Sequence, residues 1–160
     1  MIDFNPKDIH VSRVRKETVD RYLTQKHYLG CTPAGAKFRF KFTLPGRIDF
    51  LGAAMWGRPV ARNIDQDNVL ELTRFFTEDF TPKNSESYVL GCMMRFLSDK
   101  GFDRFIAYAS SKENHSGGIY KATNWNLVDD SAGGGKWSNR EGRKDRDESS
   151  KKKFVYEVKA

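Results

Sequence analysis

The chain has 160 residues, carries a formal net charge of +7 and is 38% apolar. Its length predicts one domain with an ordinary hydrophobic core, and no apolar run approaches the roughly 18 residues that a membrane span needs. Cys31 and Cys92 stand far apart, and neither a Cys-x-x-Cys nor a His-Glu-x-x-His spacing occurs, which excludes zinc fingers, zinc deaminases and zincins. Because the first residues do not resemble a secretory signal, we expect a cytoplasmic protein with reduced thiols.

The first half of the chain predicts one helix and three strands. The helix has apolar residues at helical spacing, and strict alternation of apolar and polar residues predicts the half-buried strand that follows it. Pro45 and Gly46 indicate a turn before a return strand, which Gly52 is expected to loosen. The predicted elements are a strand over 9–14, a helix over 16–25, strands over 37–44 and 48–55, and a loop over 56–67.

The second half predicts a long central helix between two strands. Thr81 is the expected N-cap and Pro82 the first helical residue, and Gly101 is a typical C-terminal stop. The predicted elements are a strand over 69–77, a helix from 81–82 to about 100, a strand over 105–109, a short helix within 114–123 and a strand over 125–128.

The C-terminal part of the chain differs in composition from the rest. Residues 129–153 are rich in Gly, Ser and charge, which predicts a flexible segment. Residues 154–160 alternate again and are expected to form a last strand in the domain of residues 1–128. The order of elements predicts a mixed α/β fold, with a central twisted sheet of about six or seven strands flanked by three to four helices.

The start of the long helix is the first candidate site. A helix N-terminus presents unpaired N–H groups and the positive end of the helix dipole, which suit a phosphate or pyrophosphate. Asn84, Ser85 and Ser87 add amide and hydroxyl groups beside Lys83, whereas Glu86 opposes an anion. The alternative interpretation is ordinary capping by small polar residues.

Two further segments carry groups that could transfer protons. His27 stands beside Tyr28, and a histidine side chain can act as a base near neutral pH, although a surface histidine at a helix end is also common. Ser110 and His115 follow the strand over 105–109, where open α/β sheets place ligands. Tyr120, further along, could donate its phenolic proton to a leaving group or pack the short helix onto the sheet.

The basic excess favours a polyanionic partner, because each phosphate contact releases counterions. Aromatic residues near arginines also suit a flipped or single-stranded base. The stripe of Lys37, Arg39 and Lys41 is interpreted as a solvated strand face rather than a binding site. The candidate nucleic-acid contacts are Arg58, Arg62, Lys151, Lys152 and Lys153.

Three segments together resemble a known family. They are Leu72-Thr73-Arg74, the run from Pro82 to Ser87, and Gly118-Ile119-Tyr120-Lys121-Ala122 followed by Trp125. The order of elements is similar to the GNAT N-acyltransferase fold, although the usual Arg/Gln-x-x-Gly-x-Gly/Ala signature is missing. The combined segments resemble the Mom family of phage DNA modification proteins over about residues 20–128.

This resemblance implies a DNA-modifying transferase. Mom-like proteins convert adenine in duplex DNA to an N6-carbamoylmethyl form, which shields phage DNA from restriction enzymes. The resemblance therefore implies double-stranded DNA as a partner and acetyl-CoA or a related acyl-CoA as the donor, and it raises iron as a second cofactor. The cofactor phosphates would be held by the helix start, at Lys83, Asn84, Ser85 and Ser87.

The resemblance also assigns roles to individual residues. His27 and Tyr28 match the His-Tyr pair of the family, Arg74 and Ser87 match the residues suggested for the acyl-CoA-type cofactor, and Tyr120 matches a later tyrosine.

One position departs from the family pattern. Ser110 stands where the family commonly has Asp, which leaves the metal and the exact reaction open, and Glu113 or His115 are candidates to replace that Asp.

Two other functions stay open from the sequence. The first is a conventional GNAT N-acetyltransferase acting on a protein or a small-molecule amine. The second is a non-catalytic nucleic-acid-binding module that keeps the fold. The oligomeric state is open, with a dimer among the options.

Overall fold

The computed structural model describes residues 4–26, 36–59, 67–110, 118–132 and 151–158. Within these ranges the chain forms seven strands, three α-helices and a short 3-10 helix, Pro6–Asp8. The strands are β1 (His10–Arg13), β2 (Ala36–Thr43), β3 (Gly52–Gly57), β4 (Val69–Thr77), β5 (Arg104–Ser110), β6 (Asn126–Ala132) and β7 (Lys151–Glu157). The helices are α1 (Lys16–Lys26), α2 (Ser85–Asp99) and α3 (Gly118–Ala122).

All seven strands belong to one sheet, in the order β1-β2-β3-β4-β5-β7-β6. Among the described pairs β4 and β5 run parallel, and the other neighbours run antiparallel. α2 is the connection between the two parallel strands, as a crossover requires. This mixed sheet with three flanking α-helices confirms the predicted fold class.

The two longer helices cover opposite faces of the sheet. Successive side chains of a strand point to opposite faces, so on β3 Ala54 and Trp56 pack in the cluster that includes the buried face of α2. Ala53 and Met55 pack instead with Val19 and Leu23 of α1. The larger cluster contains all the buried phenylalanines of the described residues, including the three that alternate along β2, Phe38, Phe40 and Phe42.

β3 differs from its predicted span of 48–55. It covers Gly52–Gly57, because the fully buried Trp56 packs edge-on against Phe105, with ring centroids 5.4 Å apart. Gly52 does not loosen the strand. A Cβ at this position would lie 2.2 Å from the backbone oxygen of Phe76, so glycine allows β3 and β4 to approach closely.

The predicted start of the long helix is also wrong. α2 begins at Ser85, and its N-cap is Asn84 in a left-handed conformation (φ 74°, ψ 5°) without a side-chain capping bond. Thr81 is not the cap, because its hydroxyl donates to the backbone oxygen of Glu78 at 2.9 Å. A turn through Pro82 therefore precedes the helix, with the Ser85 N–H donating to the Pro82 oxygen at 3.1 Å.

The ends of the segment predicted to be flexible belong to strands. Residues 129–132 continue β6 and residues 151–153 begin β7, which pairs with β5 from Lys151 opposite Ser110 to Glu157 opposite Arg104. Period-two alternation is weak there because lysines occupy consecutive positions. None of the helices in the described ranges is long and apolar enough to cross a membrane.

Candidate active site

The two parallel strands stop pairing part-way along their length, and we call the place beyond their last pair the cleft. β4 pairs with β5 only from Val69 opposite Arg104 to Leu72 opposite Ala107. Beyond that point β4 continues along β3 to Thr77, while β5 continues along β7. The pairing register of β4 with β3 also changes here. Trp56 pairs with Leu72, but the preceding residue, Met55, pairs with Arg74. Thr73 is therefore an extra residue, and such a β-bulge bends its strand.

The β4–α2 turn and α2 form one side of a cavity of about 380 Å³ beside this cleft. We call it the α2 cavity. One wall consists of residues 77–79 and 81–87, and the facing wall consists of Gly118, Ile119 and Ala122 of α3. The start of the longest helix and the short helix after β5 thus meet at the open end of the parallel strands, where ligands bind in open α/β sheets.

The α2 cavity contains hydrogen-bond donors without a partner. The first helical bond of α2 runs from the Tyr88 N–H to the Asn84 oxygen at 3.0 Å. Within the described ranges the N–H groups of Glu86 and Ser87 therefore have no backbone acceptor. The hydroxyl of Ser85, a residue only 1% exposed, also lacks a partner there. Buried polar groups are nearly always paired, so this arrangement suits an anion supplied from outside the chain.

The charges around the α2 cavity are mixed. Lys83 is exposed at its rim, and Glu86 brings a negative charge to the first turn. The Glu86 carboxylate accepts a hydrogen bond from the Thr77 hydroxyl at 3.0 Å. The Ser87 hydroxyl donates to the Asn84 oxygen at 3.1 Å, so Ser87 offers an anion chiefly its backbone N–H. The predicted residues Lys83, Asn84, Ser85 and Ser87 are thus brought together.

Glu78 connects this cavity to the end of α1. Its carboxylate accepts a hydrogen bond from the Tyr22 hydroxyl and lies 3.6 Å from the Lys26 ammonium. Burial, followed by the Glu78 carboxylate, raises the pKa of Tyr22. Helical periodicity does not reveal this trio, because Tyr22 also fits the apolar spacing of the helix predicted over 16–25. Tyrosines near helix ends and acidic residues directly after strands are both common. Their presence in the sequence therefore does not indicate the contact between Tyr22 and Glu78.

Arg74 lies away from the α2 cavity. It faces Met55, which packs under α1 on the opposite face of the sheet, and its guanidinium donates to the Thr73 oxygen at 2.7 Å. It is not among the described residues that line the cavity. The structure therefore separates Arg74 from Ser87, which the resemblance had assigned to the same cofactor.

Tyr120 is part of the hydrophobic core. It is 8% exposed, and its ring stacks on Phe154 and tilts against Trp125, with centroid distances of 5.0 and 5.2 Å. Its neighbours in α3, rather than its ring, line the α2 cavity. This placement corresponds to the packing role that the sequence left open for it.

Several predicted catalytic groups lie outside the described residues. They are His27, Tyr28, His115 and Glu113, as is the candidate nucleic-acid contact Arg62. Ser110 ends β5, at the divergent end of the parallel strands, opposite Lys151.

The described nucleic-acid candidates do not form one surface. Arg58 is exposed and directly follows β3, whose last residue, Gly57, pairs with Glu71 near the start of β4. Lys151, Lys152 and Lys153 begin β7 at the other end of the sheet, opposite Ser110, Ala109 and Tyr108. Lys152 and Lys153 are half-buried. Arg58 and the lysine run therefore belong to opposite ends of the strands.

The described part of the chain contains no group of three or more His, Cys, Asp or Glu side chains that could hold a metal ion. His10 is exposed on β1. The donors around the α2 cavity, by contrast, fit the phosphates of an acyl-CoA: they comprise an unpaired hydroxyl and free N–H groups.

Comparison with known proteins identifies the family. The sequence matches the Mom protein family over residues 8–156. The chain belongs to the Mom family. This range includes all of β7 except its last residue, so the family match extends beyond the segment of resemblance apparent from motifs alone. No curated protein sequence matches this Mom-family chain.

Solved structures show that the Mom-family chain has the GNAT acetyltransferase fold. An IAA acetyltransferase from Bacillus cereus is 9% identical, with a TM-score of 0.67 and coverage of 94% of this chain and 99% of that chain. A Salmonella typhimurium protein solved with its cofactor acetyl-CoA is 11% identical, with a TM-score of 0.66 and coverage of 95% of each chain. A GCN5-related N-acetyltransferase from Kribbella flavida is 8% identical, with a TM-score of 0.65 and coverage of 96% and 100%.

Proposed function

We propose that this Mom-family chain transfers an acyl-type or carbamoylmethyl group from a CoA-type donor to the N6 amine of adenine in double-stranded DNA. The single observation that carries the proposal is the buried, unpaired Ser85 hydroxyl in the α2 cavity, beside the free N–H groups of Glu86 and Ser87. The GNAT fold supports a thioester donor, and membership of the Mom family supports adenine as the acceptor.

The α2 cavity would hold the phosphates of the donor. Three donors without a partner are available there to an anion: the hydroxyl of Ser85 and the backbone N–H groups of Glu86 and Ser87. The exposed Lys83 adds a cation at the rim. When bound, the donor supplies an activated carbon attached to a thiol leaving group. The divergence of β4 and β5 at Leu72 and Ala107 provides the opening through which such a group would reach the other face of the sheet.

The acceptor amine needs help from the protein. The lone pair of an exocyclic adenine amine is delocalised into the ring, so the base has to be extruded from the duplex and held rigidly. For an acyl group the new bond forms between N6 and the thioester carbonyl carbon, and for a carbamoylmethyl group it forms between N6 and a methylene carbon bonded to sulfur. In both cases the carbon–sulfur bond breaks. N6 loses one proton and the departing thiolate gains one.

We assign the proton acceptor to His27, with Tyr28 beside it. His27 directly follows Lys26 in the sequence, and Lys26 contacts Glu78, which lines the α2 cavity. The end of α1 is therefore anchored at the cavity. Because the ring of Tyr120 packs in the core, we assign Tyr120 to holding α3 against the sheet rather than to proton transfer.

The biological role that follows is protection of DNA from restriction enzymes, because an N6 substituent changes the base edge that such enzymes contact. We propose that the protein acts in the cytoplasm of a host cell on phage DNA.

The test is mass spectrometry of nucleosides from the DNA of cells that express the protein. We expect a deoxyadenosine of increased mass with the wild type and with Ser98→Ala. Ser98 lies on the same helix, but its hydroxyl is already paired with the Met94 oxygen at 2.7 Å. His27→Ala should abolish the product and Ser85→Ala should reduce it. Unmodified DNA from cells with folded wild-type protein would contradict the proposal, and thiol release with protein or small amines alone would favour a conventional acetyltransferase.

A further inference from the structure

A second cavity lies at the opposite end of the strands from the α2 cavity. We call it the β1–β2 cavity. It measures about 410 Å³, and its described lining consists of Arg13, Val14, Arg15, Lys37 and Arg39. Four of these five residues are cations. The sequence pattern placed Lys37 and Arg39 on a merely solvated strand face, and the proposed transfer reaction uses none of them.

Two of the four cations lie over aromatic rings. The Arg13 guanidinium lies 4.5 Å from the centroid of the Phe38 ring, and the Lys37 ammonium lies 5.6 Å from the centroid of Phe102. These two rings pack edge to face against each other at 5.6 Å. A cation over an aromatic ring is attracted by the ring and keeps its charge. Arg13 and Lys37 therefore contact the protein surface here and can still bind an anion.

The positive charge at the β1–β2 cavity is only partly neutralised. Arg39 donates to both carboxylate oxygens of Asp20, from Nε at 2.7 Å and from Nη2 at 3.4 Å. Within the described part of the chain, Arg13, Arg15 and Lys37 have no carboxylate within ion-pair distance. Three uncompensated cations around one concave surface fit an extended polyanion.

We propose that the β1–β2 cavity binds backbone phosphates of duplex DNA, away from the base that reacts. The choice of DNA as the polyanion rests on the proposed function. Along β2, Lys37 lies five residues from Phe42, which pairs with Gly52 and so with the end of β4. At roughly 3.3 Å per residue this separation is about 17 Å along the strand. Since phosphates of one DNA strand follow each other at about 3.4 Å along the axis, that length corresponds to roughly five base pairs.

The test compares two double variants that lose the same charge. Arg13→Gln/Lys37→Gln removes two cations from the β1–β2 cavity, and Lys7→Gln/Arg95→Gln removes two exposed cations elsewhere. Both are checked for folding by circular dichroism. Binding of a labelled DNA duplex is then measured by fluorescence anisotropy over a series of salt concentrations, and binding of inorganic tripolyphosphate is measured by calorimetry.

We expect the slope of log K against log salt to fall in magnitude by roughly 2 for Arg13→Gln/Lys37→Gln, since each lost phosphate contact contributes about 0.9. The control variant should keep the wild-type slope. Equal slopes for the two variants would overturn the proposal. So would a loss of tripolyphosphate binding without a change in the duplex slope, because the site would then serve a small polyphosphate.

These outcomes separate the inference from the proposed function. A changed slope with no modified nucleoside in expressing cells would leave the phosphate site standing and remove the adenine chemistry. Modified nucleoside in expressing cells together with an unchanged slope would support the adenine chemistry and remove the phosphate site.

Discussion

Ser85 is the residue on which the proposed donor site depends. A buried hydroxyl without a partner loses its hydrogen bonds to water on folding and regains none within the protein. Such a group destabilises the free protein, so its presence in the α2 cavity is explained best by a ligand. Ser98, on the same helix, has an intrahelical acceptor and provides a matched comparison.

We therefore expect Ser85→Ala to have opposite effects on stability and on ligand binding. Removal of the unpaired hydroxyl should raise the free energy of unfolding by about 1 kcal/mol, while loss of a hydrogen bond to a charged phosphate should weaken CoA binding by roughly tenfold or more. Urea unfolding and calorimetry with CoA measure the two quantities. Ser98→Ala should not change CoA affinity. A Ser85→Ala protein that is less stable and binds CoA normally would show that the hydroxyl is structural.

Tyr22 provides a second test at the residue scale, through pH. Burial and the Glu78 carboxylate raise the pKa of Tyr22, so the folded state holds the phenolic proton more tightly than the unfolded state does. The resulting stabilisation is complete below the unfolded pKa of about 10 and decreases as the pH rises above that value.

Tyr22→Phe should lower the free energy of unfolding by about 1 kcal/mol at neutral pH, because the hydrogen bond to Glu78 is lost. The wild type should lose stability above about pH 10, and the variant should lose less over the same range. Urea unfolding measured at several alkaline pH values compares the two. Parallel pH profiles would contradict the contact between Tyr22 and Glu78.

At the scale of elements, the sequence predicted that β3 and α2 exist but not where they begin and end. Alternation and helical periodicity predicted that both exist, because burial of one face dictates those patterns. Their boundaries were set by tertiary contacts. Trp56 continues β3 because its ring fills the core beside Phe105, and α2 starts late because Thr81 bonds back to Glu78. The residues next to Trp56 and Thr81 in the sequence do not indicate either contact.

The same limit applies to the candidate site. The run from Lys83 to Ser87 was identifiable because small polar residues before a helix suit phosphates. Arg74 is separated from this run because Thr73 is an extra residue in β4. After Leu72 the side chains of β4 therefore point to the opposite faces from those that regular alternation predicts. Strict alternation predicts Arg74 on the same face of the strand as Leu72, which is wrong, because a bulge of this kind has no distinctive sequence.

The close approach of β3 and β4 gives a prediction for this element pair. In Gly52→Ala the new Cβ would lie 2.2 Å from the Phe76 backbone oxygen, so the strands must separate. We expect a loss of about 3 kcal/mol in the free energy of unfolding. Gly91→Ala is the matched control, because its Cβ meets nothing nearer than the Arg95 guanidinium at 3.6 Å and alanine favours the helix. The free energy of unfolding of Gly91→Ala should rise by up to about 1 kcal/mol. Thermal unfolding of both variants measures the two changes.

At the scale of the whole molecule, the two cavities proposed to bind anions lie at opposite ends of the strands. The α2 cavity, with unpaired hydrogen-bond donors, lies where β4 and β5 diverge, and the β1–β2 cavity, lined by cations, lies at the other end. The net charge of +7 favours a polyanionic partner but does not indicate where such a partner would bind. We propose one cavity for a small donor and the other for an extended phosphate backbone.

The central claim is that the start of α2 holds the phosphates of a CoA-type donor, and a crystal structure of the complex with CoA tests it most directly. The account predicts that pyrophosphate oxygens accept hydrogen bonds from the Ser85 hydroxyl and from the N–H groups of Glu86 and Ser87, with the thiol arm directed into the opening between β4 and β5. A complex in which CoA binds elsewhere, with these three donors paired to other protein groups, would contradict it.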